Sequence, residues 1–417
     1  MPFTNDAIVF GVLMISLAFV FYTESIKTGI WVKFYKVVPG LLMCYFIPAI
    51  FNSAGIISSE ESNTYYIASR YLLPASLVLL TLSIDLKAIF NLGPKALIMF
   101  FTGTIGIIIG GPLAIIIISA FFPELFHGAG PDAMWRGLST LAGSWIGGGA
   151  NQAAMLEIYE YNPKKYGAMV LIDIIVANIW MAILLIGIGK KEKINTWLKA
   201  DTSSIENLKE KVAKFANKVK RTPTLTDYMV VLGLAFGIVG LSHLGSDIIS
   251  SFLINNFEQV ADKSSGLSSF GSKFFWMITI ATFSGICLSF TKAKNYEGVG
   301  ASKIGSIFIY ILVATIGMKM DLGSILDDPK LILIGIVWMG IHALLLILIA
   351  KLIKAPYFFL AVGSQANVGG AASAPVVAAA FHPSLASVGV LLAVFGYVVG
   401  TYAAMLCTFL MQIVSIN

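Results

Sequence analysis

Two stretches of this chain carry residue types that could do chemistry inside an apolar environment, and the two resemble each other. Residues 141–155 read LAGSWIGGGANQAAM and residues 361–376 read AVGSQANVGGAASAPV. Gly143-Ser144 recurs as Gly363-Ser364, and Gly148-Gly149-Ala150 recurs as Gly369-Gly370-Ala371. Both interrupt an apolar run with glycine and small polar residues. In a bilayer, non-helical backbone survives only where protein surrounds it or where it lines a cavity. A pair of glycine-broken segments at matching places in two halves is the best sequence pointer to a transporter's binding site. Half-helix N-termini present unpaired N–H groups suited to a carboxylate, and half-helix C-termini with unwound carbonyls suit Na⁺.

The substrate-binding candidates are therefore Ser144, Gly148, Gly149, Asn151 and Gln152 in the first stretch, and Ser364, Asn367, Gly369, Gly370 and Ser373 in the second. Gly147 joins them as a backbone provider. Gln365, Asp173, Asn178 and Thr401 are the ion-binding candidates, all with hard oxygen donors. Asp173 lies inside the apolar run after the first stretch, and an ionisable residue in mid-span is a functional hypothesis by default. It can bind Na⁺, carry a coupling proton or hold a substrate ammonium group. The plainer readings stand beside these: Gly and Ser permit tight helix packing, and Asp173 serves as a structural acceptor.

Other polar residues carry weaker expectations. Glu157 is expected near the interface in a solvated role, Asp85 and Asp321 as helix caps, and Lys319 snorkelling to the headgroups. His342 is expected to be a hydrogen-bonded residue of the bundle. Trp145 either gates the site or fills space.

The elements that must position these residues follow from composition. The chain of 417 residues is 57% hydrophobic and 12% charged, with mean hydropathy +0.85. A soluble domain carries roughly twice that charge, so this is a polytopic membrane protein with room for about ten spans of ~20 residues. The net charge of +6 resides in loop lysines and is no nucleic-acid signature. Cys44, Cys287 and Cys407 are far apart in apolar runs, against a disulfide frame or a metal site. No HExxH, GxSxG or nucleotide-binding loop is present, so neither an enzyme nor a primary pump is expected. No cofactor is expected. The first apolar run, 7–22, reads as a retained span.

Apolar segments run at 7–22, 37–57, 66–84, 95–122, 134–160 and 166–189, then at 226–243, 271–290, 302–320, 330–353, 357–381 and 384–415. Six precede a polar linker and six follow it, which points to an internal repeat. SIDLKAIFNLGPK at 83–95 resembles KMDLGSILDDPK at 319–330. Lysine placement decides parity. With the N-terminus outside and each broken segment entering and leaving on one side, the lysine-rich loops fall inside; only Lys164 and Lys165 dissent. The expected architecture is an all-α membrane protein of two inverted repeats of five transmembrane helices, each with a re-entrant glycine-rich hairpin. Repeat 1 spans 1–189 with hairpin 134–160, and repeat 2 spans 226–417 with hairpin 357–381. Between them, 190–225 is a cytoplasmic linker. Ser203-x-x-Glu206 reads as a capping box, and Ile205, Leu208, Val212, Phe215 and Val219 form one face of an amphipathic helix.

GGGANQAAM and VGGAASAPV, each followed by Pro163 or Pro383 and a small-residue-rich final helix, resemble the hairpin motifs of the sodium–glutamate and 2-hydroxycarboxylate symporters. That similarity covers the hairpins and the repeat plan. Over its full length the chain resembles the YjcL-like membrane proteins. The symporter resemblance implies sodium coupling, a homodimer and an elevator mechanism, in which a core carrying both hairpins slides against a scaffold. The residue after the Gly-Gly pair departs from the symporter motif, and Arg70, Arg136 and Arg221, the only arginines, sit near segment ends. Substrate identity therefore does not carry over. The expected function is sodium-coupled symport of a small carboxylate-bearing solute, such as an amino acid or short peptide, across the cell membrane. Proton coupling through Asp173 and a channel-like protein are the alternatives.

Overall fold

The structure, a computed structural model, describes residues 2–35, 38–82, 92–126, 128–201, 222–261, 268–320, 329–382 and 385–415. Asp85, Asp321, His127, Arg221, Pro383 and the amphipathic stretch 205–219 lie outside the described residues. The first half contains α1 (Asp6–Ser25), α2 (Ile30–Tyr35), α3 (Gly40–Ser53), α4 (Thr64–Leu82) and α5 (Pro94–Ser119). It continues with α6 (Met134–Gly147), α7 (Gly149–Ile158), α8 (Tyr166–Ile188) and a short α9 (Lys191–Leu198). The second half contains α10 (Leu225–Asn256), α11 (Lys273–Ser289), α12 (Ala301–Lys319) and α13 (Leu331–Leu352). It closes with α14 (Tyr357–Val368), α15 (Gly370–Phe381) and α16 (Ala386–Ser415).

Among the described residues, 8 helices are long and apolar enough to cross a membrane: α1, α4, α5, α8, α10, α12, α13 and α16. A ninth span arises if α11 is joined to the turn Lys292–Val299, across a 96° bend. This is fewer than the ten spans expected. The difference lies in α3, which has 14 residues because Pro39 delays its start and Gly55, at φ +69°, follows its end. The span expected at 226–243 is instead the 32-residue α10. Its later turns look too polar in sequence, yet Val231, Ala235, Val239, Ser242, Ser246 and Ser250 form one buried stripe. Those serines return their hydroxyl protons to the carbonyls of Ile238, His243 and Gly271, so burial leaves no donor unpaired. Helix α10 begins at a reciprocal cap between Thr224 and Asp227, which satisfies N–H groups that the first turn cannot.

Two groups of helices emerge from the packing. α3 packs on α12, α11 packs on α4 and on α10, and α4 packs on α12. Separately, α5 packs on α13, and α16 lies against α5 and against both broken pairs, α6–α7 and α14–α15. Glycines let α13 close onto α5: a Cβ on Gly106 would lie 3.1 Å from the His342 Cα, and one on Gly110 would lie 2.5 Å from the Trp338 ring.

Each broken pair starts and finishes at one end of the molecule. For α6–α7, the Asn162 N–H donates to Pro131 O at 3.0 Å, and Lys165 pairs with Asp132 at 2.9 Å. The Asn162 amide, with Lys165, holds the Asp132 carboxyl below its usual range. Glu60 meets Lys164 at this end, as does Glu124 with Lys330. For α14–α15, the Tyr357 and Phe381 rings stand 5.7 Å apart. Nearby, Lys95 donates to Lys354 O, and the Tyr357 N–H donates to Asn195 Oδ1. Helix α5 runs from Lys95 towards Glu124, so the two pairs have their feet at opposite ends.

One ion pair ties the groups together at the Glu60 end. Arg70, on a π-helical turn of α4 (Ala68–Leu72), donates to Glu157 of α7 at 2.6 Å. Tyr65 donates to the same carboxylate, and the Lys319 ammonium sits 4.2 Å over the Tyr65 ring. The solvated role expected of Glu157 is thus overturned: its side chain is 10% exposed, because α7 folds its last turn onto α4. Removing one partner of a buried pair strands the other charge. Arg70→Met should therefore destabilise the protein by on the order of 3 kcal/mol, and adding Glu157→Met should recover most of the loss, both read from thermal unfolding in detergent.

Candidate functional site

The two breaks meet. Helix α6 stops because Gly148 takes φ +76°, and α15 opens at Gly370 with φ +57°, conformations that side chains disfavour. A Cβ on Gly370 would stand only 3.6 Å from the Gly148 Cα. Beside this junction lies a cavity of about 370 Å³. Its far wall belongs to the α3–α4–α12 group, through Pro39, Tyr45, Leu80, Ile309, Tyr310 and Val313. Its near wall is built from both broken pairs and α8.

Seven of the ten substrate-binding candidates line this cavity: Ser144, Gly148, Gly149, Gln152, Gly369, Gly370 and Ser373. Asp173, Asn178 and Gln365, of the ion-binding candidates, line it too. Asp173 is the sole formally charged residue among the described lining residues. Its Oδ2 accepts from Ser144 Oγ at 2.7 Å and Gln152 Nε2 at 3.1 Å, and its Oδ1 accepts from Trp145 Nε1 at 2.7 Å. Trp145 is fully buried and packs edge-on against Trp338, with centroids 5.2 Å apart. It orients the carboxylate as well as filling space. Asn178 donates to Ile174 O, one turn back on its own helix. Gln365 Nε2 donates to Ser373 Oγ at 2.7 Å, while Gln365 Oε1 is buried without a hydrogen-bond partner.

Asn151, Asn367, Ser364 and Thr401 stand behind the wall. Asn151 donates to Gly147 O at 3.1 Å and to Tyr397 O at 3.5 Å, and its Oδ1 accepts from Thr401 at 2.8 Å. Asn367 donates to Gly363 O at 2.9 Å and to Phe100 O at 3.0 Å, and its Oδ1 accepts from Thr104 at 2.8 Å. The two are chemical twins. Each amide takes a carbonyl four residues back in its own hairpin, then a carbonyl and, four residues on, a threonine hydroxyl from a neighbouring helix. Each tip is thereby fastened, to α16 in one case and to α5 in the other.

Ser364 belongs to a second buried chain. Trp180 Nε1 donates to Ser364 Oγ at 2.8 Å, and Ser364 Oγ lies 2.8 Å from His342 Nε2. His342 Nδ1 faces Gly103 O at 3.0 Å. A carbonyl only accepts, so Nδ1 carries the proton, Nε2 accepts, and neutral imidazole satisfies every partner. His342 is the hydrogen-bonded bundle residue expected of it. Thr104, Trp180 and the carbonyls of Phe100 and Tyr397 escaped sequence reading, since a carbonyl leaves no mark in sequence and a lone threonine or tryptophan in an apolar run has no signal.

No cluster of His, Cys, Asp and Glu among the described residues is fit to hold a structural metal. The arrangement is a small, mostly apolar chamber with one fixed carboxylate, amide and hydroxyl groups, and the backbone of two helix ends.

Residues 11–414 match the family described as "Protein of unknown function (DUF819)", and the chain belongs to that family. It is also similar to the "Uncharacterized membrane protein YjcL" of Bacillus subtilis (strain 168), 23% identical over 379 residues that cover 89% of each chain.

The fastening of the first tip is testable apart from any ligand. Thr401→Val keeps the side-chain shape but leaves Asn151 Oδ1 buried and unpaired, at a cost of about 1–3 kcal/mol. Thermal unfolding of the variant should show that loss, whereas Thr401→Ser should stay close to the parent protein.

Proposed function

We propose that the protein is a secondary active transporter in the cell membrane that moves a small carboxylate-bearing organic solute together with Na⁺. The observation that carries the proposal is the position of the cavity. It lies where two glycine-broken helix pairs from the two halves meet, at the seam between two separately packed helix groups. In this reading the pairs are re-entrant hairpins of inverted repeats. The group of α5, α8, α13, α16 and both hairpins is the moving core, and the group of α1, α3, α4, α10, α11 and α12 is the scaffold of a homodimer. Sliding the core along the scaffold carries the tips, and whatever they hold, from one side to the other.

Several features support this. Among the described residues the far wall of the cavity is mostly apolar, with Ser306 and the rings of Tyr45 and Tyr310 beside Pro39, Leu80, Ile309 and Val313, so it offers a surface past which the tips can move. Lys95, Lys190, Lys191, Lys193, Lys351 and Lys354 gather at the foot of α14–α15, which by the positive-inside rule supports reading that end as cytoplasmic and the N-terminus as outside. Asp173 supplies carboxylate oxygens for a desolvated Na⁺, and a buried carboxylate without a cationic neighbour among the described lining residues calls for one. That same bare carboxylate favours a second reading, in which a proton on Asp173 replaces Na⁺.

Two measurements test the proposal. Ligand binding to the folded state raises stability by RT ln(1 + [L]/Kd), about 2.7 kcal/mol at one hundred times Kd. Purified protein should melt higher in Na⁺ than in K⁺ or choline at equal ionic strength, and Asp173→Asn should erase the difference. Stability that responds to pH alone, with uptake driven by a proton gradient, would transfer the role to H⁺. In a variant lacking Cys287, the exposed cysteine, single cysteines at Glu60 and Lys354 should react from opposite sides of the membrane; same-side labelling would overturn the inverted arrangement.

A further inference from the structure

We infer that the solute is a single small amino acid in its zwitterionic form, with an apolar side chain. The inference rests on the transport reading and narrows its substrate class.

The first argument is charge. Among the described residues the cavity lining holds one carboxylate, Asp173, and no lysine, arginine or histidine. Charges taken out of water must be matched nearby or the cost is prohibitive. With one Na⁺ at Asp173 the chamber is neutral, and a zwitterion keeps it neutral. A dicarboxylate would leave two uncompensated negative charges and a basic amino acid one positive charge.

The second argument is where the ends of a zwitterion can go. Helix α7 has 10 residues and begins at Gly149; the backbone N–H groups of Asn151 and Gln152 are engaged by Gly148 O. The amides of the first turn before them carry the partial positive charge of the helix start and suit a carboxylate. A helix start alone would not single out a ligand. The independent observation is Gln365, whose residue is 1% exposed and whose Oε1 has no partner although it lines the cavity. A buried acceptor in that state lacks a donor, and an ammonium group supplies one. Gln365 sits beside the second tip, since a Cβ on Gly369 would come within 2.3 Å of its amide nitrogen. That tip touches Gly148, the residue preceding the α7 start. The acceptor and the helix start thus flank one junction at the same cavity, one for the ammonium and one for the carboxylate of an α-amino acid.

The third argument is the remaining wall. Leu80, Ile309, Val313, Ile174 and Met181 offer an apolar surface, and a chamber of about 370 Å³ stands at the small end of ligand pockets. A peptide would bury unpaired amides against that surface.

The test is the thermal stability of the purified protein in Na⁺ with leucine, its hydroxy-acid analogue (ammonium removed), its amide (carboxylate removed), glutamate, lysine and dileucine, followed by titration for Kd. Leucine should stabilise and bind at least tenfold more tightly than each of the others. Gln365→Leu should weaken leucine at least tenfold but the hydroxy acid by less than threefold, a selectivity that a merely misfolded variant would not show. Equal or tighter binding of glutamate, the hydroxy acid or the dipeptide overturns the zwitterion assignment while leaving transport standing. If no compound shifts the protein, the assignment also falls. The effect of Na⁺ on the solute-free protein then reports separately on the transport reading.

Discussion

Everything in this molecule depends on how two interrupted helices are tolerated inside an apolar bundle. A helix that stops mid-bundle exposes amide and carbonyl groups, and hydrocarbon offers them no partner. The chain meets that constraint with matched fasteners. Asn151 caps the first break and ties it to the Tyr397–Thr401 turn of α16; Asn367 ties the second to the Phe100–Thr104 turn of α5. In both cases a carboxamide is the suitable group, because it donates twice and accepts at one atom without bringing a charge. The glycines of α16 serve the same end: a Cβ on Gly400 would lie 2.7 Å from the Gly147 Cα, so only a bare backbone allows this approach.

Once the tips are fastened, the polar resources of the two sides differ in kind. On the first side a carboxylate, Asp173, gathers Ser144, Trp145 and Gln152 and faces the cavity. On the second side the neutral chain Trp180–Ser364–His342–Gly103 is closed on itself behind the wall. Of the second broken pair, among the described residues, Gln365 and Ser373 present polar side chains to the cavity. The two halves share a plan and have divided its tasks, one towards holding charge and the other towards holding shape. The pair of Arg70 and Glu157 belongs to neither task. It joins the two helix groups at one end, where a broken contact would let them part.

Much of the fold was legible before any coordinates. The twelve apolar stretches and the two breaks follow from hydropathy and glycine placement, because a membrane segment must be apolar over its length and a break must be small. Length was harder to read. The polar later turns of α10 look like a loop by hydropathy, yet Ser242, Ser246 and Ser250 are buried with their hydroxyls spent on backbone carbonyls. Hydropathy scores a serine as if its hydroxyl needed water, and so missed this. Glu157 misled in the same way: nothing near it in sequence announces Arg70, 87 positions away.

The sequence alone determined the class of the protein, the places where its helices break and the presence of one carboxylate in mid-span, since these depend on composition and local backbone preference. It placed ten polar and glycine residues at the breaks without dividing them. Only the tertiary structure separated Ser144, Gln152 and Ser373, which face the cavity, from Asn151, Asn367 and Ser364, which hold the tips from behind. The reason is that an asparagine next to a helix break has the same local chemistry whether it turns to a ligand or to a neighbouring helix. Which way it turns is set by the carbonyl and hydroxyl that another part of the chain brings alongside.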